Sequence, residues 1–589
     1  MHIQFARRRL GLASVVGGAL LLLTILVLAA CSPSVPKIPS TVSGVVSDKD
    51  GPVAGAQVQI KGTANTTTTG HDGSFSFSGA GLGKAEVTTI TAWSPGNYVG
   101  YIDMDPKKPS WQPDGTGVAI TMKPLYTVDN NKYAWFSFEG VSGSRSCGLC
   151  HREYNEWSKD AHSQSATNQR FITIYRGTNV KGEKGQTPQL SKDGATTLPP
   201  DPTKPYYGPG YRLDNPSRAG NCATCHTPLA SSIPNQKNCG WSGCHNSITS
   251  ERGANVMDPG VMPVSLSGIA AEGVACEFCH KVGEVIMNPK TGLPYPDMPG
   301  ILSMKLYRPP GVEQVFFGTI LDVNRRVAVS PLETQSEFCA PCHYGQFGGV
   351  VGMGEVKDGT LIYNSYGEWL ESSYSDPKTG KTCQECHMPV STADWFVFKE
   401  KGGISRDYAK LHNHTMTGVT DENLMKNAVS LQASANRGDG VLQVKISVTN
   451  DKTGHAVPTD SPTRSVMLVV AALDANGKVL ALKEGPALPT WTGNYAGQPG
   501  KAYAKVLKDN WTGETPTAAY WRPVTIVEDT RLFPAATDTS EYKFDLPAGS
   551  PATVKVMLVY RRAFQLLQEQ KGWNDPDLTM AETTISVEK

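Results

Sequence analysis

Cys147-Gly148-Leu149-Cys150-His151 opens a set of six related stretches in this chain. Cys222-Ala-Thr-Cys225-His226, Cys276-Glu-Phe-Cys279-His280, Cys339-Ala-Pro-Cys342-His343 and Cys383-Gln-Glu-Cys386-His387 repeat its spacing. Cys239-Gly-Trp-Ser-Gly-Cys244-His245 keeps the closing Cys-His but widens the gap between its cysteines from two residues to four. Cys-x-x-Cys-His is the attachment pattern of c-type haem, in which both thiols become thioethers and the adjoining imidazole becomes an axial iron ligand. With 13 Cys and 12 His in 589 residues, a shuffled chain would hold roughly 0.006 copies of the regular motif. Zinc knuckles also use Cys-x-x-Cys, but they gather four ligands and need no His after every second Cys. A disulfide framework would suit an exported chain, yet the motifs leave only Cys31 over. Six covalently attached haem c groups, each with an iron, are therefore expected.

Working outward, Arg7, Arg8 and Arg9 precede an apolar run from Leu10 to Ala30, which reads as an export signal. Leu28-Ala29-Ala30-Cys31 matches a bacterial lipobox, so residues 1–31 are expected to be a signal peptide with lipidation at Cys31. An uncleaved membrane span is the alternative, since the run is nearly long enough to cross a bilayer. Either reading makes the chain extracytoplasmic and membrane-anchored, in the periplasm or at the cell surface. Fifty-five basic against 54 acidic residues give a net charge of +1, a balance that offers no field to attract nucleic acid. Gly (59) and Pro (41) are abundant, and charged residues are only 19% of the chain. So loop-rich a makeup suits a protein whose buried apolar surface comes partly from haem.

The Pro/Ser-rich residues 32–40 read as a tether. Residues 41–123 alternate in short runs such as Ala56-Gln-Val-Gln-Ile60 and Ser74-Phe75-Ser76-Phe77, with Asp50-Gly51 and Asp72-Gly73 as hairpin turns. Residues 124–426 hold all six motifs, at irregular intervals that argue against identical tandem domains. Within them Leu198-Pro-Pro-Asp-Pro202 and Pro205-Tyr-Tyr-Gly-Pro209 predict an extended surface loop. Residues 427–589 alternate again, as in Val441-Leu-Gln-Val-Lys-Ile-Ser-Val448 and Val554-Lys-Val-Met-Leu-Val-Tyr560, and read as an immunoglobulin-like β-sandwich. The expected fold class is multidomain, with a loop-rich, mainly helical hexahaem c-type cytochrome core flanked by two β-sandwich domains.

Each iron needs a second axial ligand beyond its motif histidine. Setting aside His2 in the signal and His71 beside a hairpin turn, His162, His412, His414 and His455 remain as distal candidates. His412 and His414 differ by two, so an extended segment would point them to opposite sides. His455 lies in the Gly/Pro-bounded turn Thr453-Gly454-His455-Ala-Val-Pro458-Thr459. Four candidates cannot serve six irons. Met416, Met353 and Met388 are the substitutes considered, since Met/His ligation raises the reduction potential. A partial repeat adds Tyr374: Tyr154-Asn-Glu156-Trp157 is followed five residues after Trp by His162, and Tyr366-Gly-Glu368-Trp369 at the same offset by Tyr374.

Three passages carry a family resemblance: Cys147 to His162, Gly273-Val-Ala-Cys276-Glu-Phe-Cys279-His280, and Thr382-Cys383-Gln-Glu-Cys386-His387-Met388-Pro389. They resemble multihaem cytochromes of the c-552/c-554 type over roughly residues 140 to 460. Residues 41–123 resemble a carboxypeptidase regulatory-like module, which implies no catalytic role. The cytochrome resemblance implies stacked, mostly bis-histidine haems passing single electrons between other redox proteins. It also implies relatives that transform nitrogen or sulfur compounds. The nitrite reductases of the wider group carry Lys in place of one motif His, and no motif here does so. Three functions stay in view: an extracytoplasmic hexahaem electron carrier between respiratory redox partners; a haem oxidoreductase for a small inorganic nitrogen or sulfur compound at one open iron; and a subunit of a polymeric or larger respiratory assembly. Expected partners are redox proteins and, through the lipid, the membrane, with a homo-oligomer or respiratory complex left open and nucleic acid excluded.

Overall fold

The computed structural model describes residues 37–84, 87–130, 133–194, 196–216, 220, 222–229, 267–296, 298–348, 350–352, 355–357, 359–438 and 440–588. The signal with Cys31 and the wide motif Cys239–Cys244–His245 lie outside the described residues. Two compact units divide the chain: Met1–Pro124 with Leu321–Arg325, and Leu125–Ile320 with Arg326–Lys589.

In the first unit, period-two alternation produces two four-stranded sheets. Thr41–Asp48 pairs antiparallel with Gly51–Pro52 and Ser74–Ser78, and parallel with Val118–Thr121. Gln57–Ile60 lies between Thr66–Thr68 and Thr88–Trp93, and the latter pairs with Gly100–Met104. Val42, Val46, Phe75 and Phe77 from one sheet meet Val58, Ile60 and Ile90 from the other in a single core. Gly44 makes the parallel pairing fit: a Cβ there would lie 1.8 Å from the Val118 carbonyl oxygen.

The second unit ends in nine strands arranged as two antiparallel sheets. One runs in the order Ser430–Gly438, Val441–Thr449, Thr537–Asp545, Leu482–Glu484; the other runs Val524–Asp529, Gly500–Asp509, Ser465–Asp474, Ala552–Arg561, Leu578–Val587. Leu442, Val444 and Ile446 face Val466, Leu468, Val554 and Val556 across one core. Ser465–Asp474 is buried on both faces, as its unbroken apolar run requires, because Met467 and Val469 pack beneath Leu488 and Trp491 on the outer side.

Residues 125–429 differ from expectation. They were expected to be mainly helical, but strand makes up 32% of the structure and helix 17%, with many small sheets. The helices here are short; Cys222–His226 and Cys383–His387 have five residues each, and Gln169–Arg176 has eight. Between them lie two-stranded pairs such as Val282–Val285 with Met304–Leu306. The physical reason is local. A Cys-x-x-Cys-His stretch closes one helical turn, and Gly and Pro in the flanks stop propagation before helix–helix packing can begin.

Buried charges join this region to the terminal sheets. Arg522 donates to both carboxylate oxygens of Asp214, at 2.8 and 2.9 Å, and to Asp509 at 2.7 Å, with at most 6% of any of these side chains exposed. The stretch read as a surface loop is pinned as well: buried Lys571 donates to the carbonyls of Pro209 (2.7 Å) and Thr173 (3.2 Å). Replacing Arg522 by Met should leave Asp214 and Asp509 as unpaired buried charges and destabilise the second unit by about 3–5 kcal/mol. Denaturant unfolding followed by tryptophan fluorescence measures this, and a loss under about 1 kcal/mol would contradict it.

Candidate haem-binding site

The described motifs lie against one another. The Cys147 and Cys276 thiols are within interaction distance, as are Cys225 with Cys342 and Cys339 with Cys383. The attachment stretch at 147–151 therefore neighbours that at 276–280, and the stretch at 339–343 neighbours both 222–226 and 383–387. Among the described residues, no three His, Cys, Asp or Glu side chains converge as they would around a bare metal ion. Haem iron needs no such cluster, because the porphyrin supplies four of its ligands.

Imidazoles instead meet in pairs, each joining a motif histidine to a residue distant in sequence. Ring centroids are 6.2 Å apart for His162–His343, 6.3 Å for His280–His414 and 6.2 Å for His387–His455. Two imidazoles bound to opposite sides of one metal, with metal–nitrogen bonds of ~2 Å, hold their centroids roughly 6 Å apart. The pairs fit bis-histidine iron. His226 is not in such a pair among the described residues; Phe171 stacks flat on its ring face at 4.0 Å, which leaves the Nε2 edge clear.

In seven of the described histidines Nδ1 is held by the protein. Nδ1 lies 2.9 Å from the Ser165 carbonyl in His226, 2.7 Å from the Phe317 carbonyl in His280, and 2.6 Å from the Thr417 carbonyl in His387. The Met388 carbonyl serves His412 at 2.7 Å and the Ala456 carbonyl serves His455 at 3.0 Å, while Asp160 and Asp460 serve His162 and His343 at 2.7 and 3.0 Å. An acceptor at Nδ1 fixes the tautomer and leaves Nε2 free to ligate. Burial pushes His414 down to about 3 and lowers His226 and His387, so these rings are neutral, the ligating form. At His343 and His280 burial pulls the same way but is outweighed by the carboxylates of Asp460 and Glu333.

The partial repeat proves to be one structural device used twice. Trp157 Nε1 donates to the Val274 carbonyl, two residues before Cys276; Trp369 Nε1 donates to the Lys381 carbonyl, two residues before Cys383, both at 2.8 Å. Val274 N–H returns to the His162 carbonyl, as Lys381 N–H does to that of Tyr374. Ser144, three residues before Cys147, accepts from Cys276 N–H; Ser336, three before Cys339, accepts from Cys383 N–H. Each repeat glutamate then holds a segment that carries a distal histidine. Glu156 accepts from His414 N–H (2.8 Å) and is clamped by Arg152, while Glu368 accepts from Ala456 N–H (3.0 Å) and is clamped by Arg531. The copies diverge at the ligand position, where Asp160 and His162 are matched by Ser372 and Tyr374.

Among the residues expected from sequence, His162, His414 and His455 come opposite motif histidines. His412 is exposed and is opposite no motif histidine among the described residues. His151 stacks on Phe396. Met416 packs beside Trp157 and Phe278, Met388 offers its carbonyl to His412, and Met353 lies outside the described residues. Tyr374 lies against Gly454, whose added Cβ would meet it at 3.1 Å, so it buttresses the His455 turn. Asp160, Asp460, Glu156 and Glu368 were missed. Asp160-x-His162 and the paired Tyr-x-Glu-Trp stretches were the available signals.

No protein-family model matches the chain. No curated protein matches it either. Among solved structures, a penta-heme cytochrome c552 from Thermochromatium tepidum is similar over 76% of this chain and 98% of that one, at 19% identity and a TM-score of 0.47. So loose a likeness leaves the haem assignment resting on the motifs and the imidazole pairs.

Glu156→Ala and Glu368→Ala should each free one distal histidine without loss of covalent haem. Electron paramagnetic resonance should then show one new high-spin ferric signal per variant, and unchanged low-spin spectra would refute the clamp.

Proposed function

We propose that this chain is an extracytoplasmic hexahaem c-type cytochrome that passes single electrons between respiratory redox partners. The observation carrying the proposal is the set of three imidazole pairs at 6.2–6.3 Å, each joining a motif histidine to a distant one. When bound, the haem groups supply the one-electron couple. The chain's own contribution is to hold and tune them. Cysteines 147, 150, 222, 225, 239, 244, 276, 279, 339, 342, 383 and 386 would carry the thioethers, and the motif histidines the proximal bonds. His162, His414 and His455 would occupy the opposite axial positions, with His162 and His455 oriented through Nδ1 by Asp160 and the Ala456 carbonyl. Two occupied axial positions exclude an exogenous ligand, which favours outer-sphere transfer over chemistry on a substrate. The neighbouring thiols support transfer between adjacent sites.

Lipid anchoring through Cys31 belongs to the same proposal and rests on the lipobox alone. Among the described residues, no helix is long and apolar enough to cross a membrane.

A second reading draws on one observation. No imidazole faces His226 among the described residues at the spacing of the three pairs. An iron held there with an open position would favour a haem oxidoreductase.

Intact-mass measurement of the matured chain should give six haem additions, and ferric spectra should be dominated by low-spin signals. Fewer than five additions would refute the attachment reading. A stoichiometric high-spin haem that binds carbon monoxide when reduced would favour the oxidoreductase over the pure carrier.

A further inference from the structure

Carboxylates are unevenly shared among the three imidazole pairs. At His162–His343 both rings bond to one: Asp160 Oδ1 lies 2.7 Å from His162 Nδ1, and Asp460 Oδ2 lies 3.0 Å from His343 Nδ1. At His280–His414 there is one, Glu333 Oε1, 3.2 Å from His280 Nδ1 and farther than the Phe317 carbonyl at 2.7 Å. At His387–His455 both acceptors are backbone carbonyls, of Thr417 and Ala456. The Asp160 side chain is buried, 5% exposed, and that of Asp460 is largely covered, 13% exposed. Asp460 also accepts from the Ser365 N–H and hydroxyl and from the Asn364 N–H, a donor set suited to an ionised carboxylate. Nearby Arg464 donates to the Thr459 carbonyl.

We propose that Asp160 and Asp460 make the iron held by His162 and His343 the hardest of the three to reduce, with the His280–His414 iron next and the His387–His455 iron easiest. This rests on reading the pairs as axial ligands. A carboxylate accepting the imidazole N–H makes the ring a stronger electron donor. It also places negative charge in a poorly screened interior beside the metal. Reduction adds one electron from an external one-electron donor, breaks no bond, and lowers the positive charge at iron by one. Two buried anions therefore favour the ferric state. The position gives this consequence: the 339–343 stretch neighbours both 222–226 and 383–387. Its reluctance to accept an electron sets an uphill step between those two sites, so electrons reside on the flanks.

The test is a redox titration of the full-length haem-loaded protein, poised with dithionite and mediators and followed by absorbance and electron paramagnetic resonance. Asp160→Asn and Asp460→Asn should each move the lowest-potential low-spin component upward, by at least tenfold in its reduction equilibrium constant, or ~59 mV for one electron. The remaining components should not move. Asp460 also supports the turn before Ser365, so Asp160, whose side chain bonds only His162 among these contacts, is the arm less exposed to misfolding. Low-spin spectra that persist with unshifted potentials would overturn the assignment to the carboxylates while leaving the axial reading intact. Absence of low-spin haem in the unsubstituted protein would overturn both.

Discussion

The arrangement of the paired histidines in the second unit depends on holding an imidazole by one nitrogen so that the other is free. An untethered histidine can rotate and can present either nitrogen. A ring whose Nδ1 bonds a fixed carbonyl or carboxylate can present only Nε2. The acceptors sit on segments that are themselves pinned: the Ser165 carbonyl beside the turn that carries His162, the Thr417 carbonyl beyond His414, and Asp460 at the turn after His455. The haem region and the terminal sheets form one compact unit because the sheets supply His455 and Asp460, and because Arg531 of the sheets clamps Glu368 of the haem region.

The same constraint accounts for a core with little helix. Short turns suffice where each has only to place two thiols and one imidazole. The stretches between turns are fixed by specific bonds, such as Ser336 to Cys383 N–H and Trp369 to the Lys381 carbonyl, rather than by continuous helix packing. The doubled device suggests how such a core is specified. The same tryptophan, serine and glutamate bonds recur around both motif pairs. One change at the matched position, His162 to Tyr374, replaces a ring that faces His343 by one that packs against Gly454.

By itself the sequence determined the attachment pattern, since a cysteine pair and an adjoining histidine are set by spacing of a few residues. It also determined the sheets at both ends, because alternation such as Ser74-Phe75-Ser76-Phe77 maps directly onto the two faces of a strand. The Tyr-x-Glu-Trp repeat was visible, but its purpose was not, because each glutamate acts on a backbone N–H far along the chain: His414 for Glu156 and Ala456 for Glu368. Only the tertiary structure brought His162, His414 and His455 opposite His343, His280 and His387. It alone put carboxylates on both rings of the His162–His343 pair. The physical reason is range. Attachment is local and periodicity nearly so, whereas the imidazole pairs bring together residues 68 to 181 apart in the chain and Asp460 reaches His343 across 117.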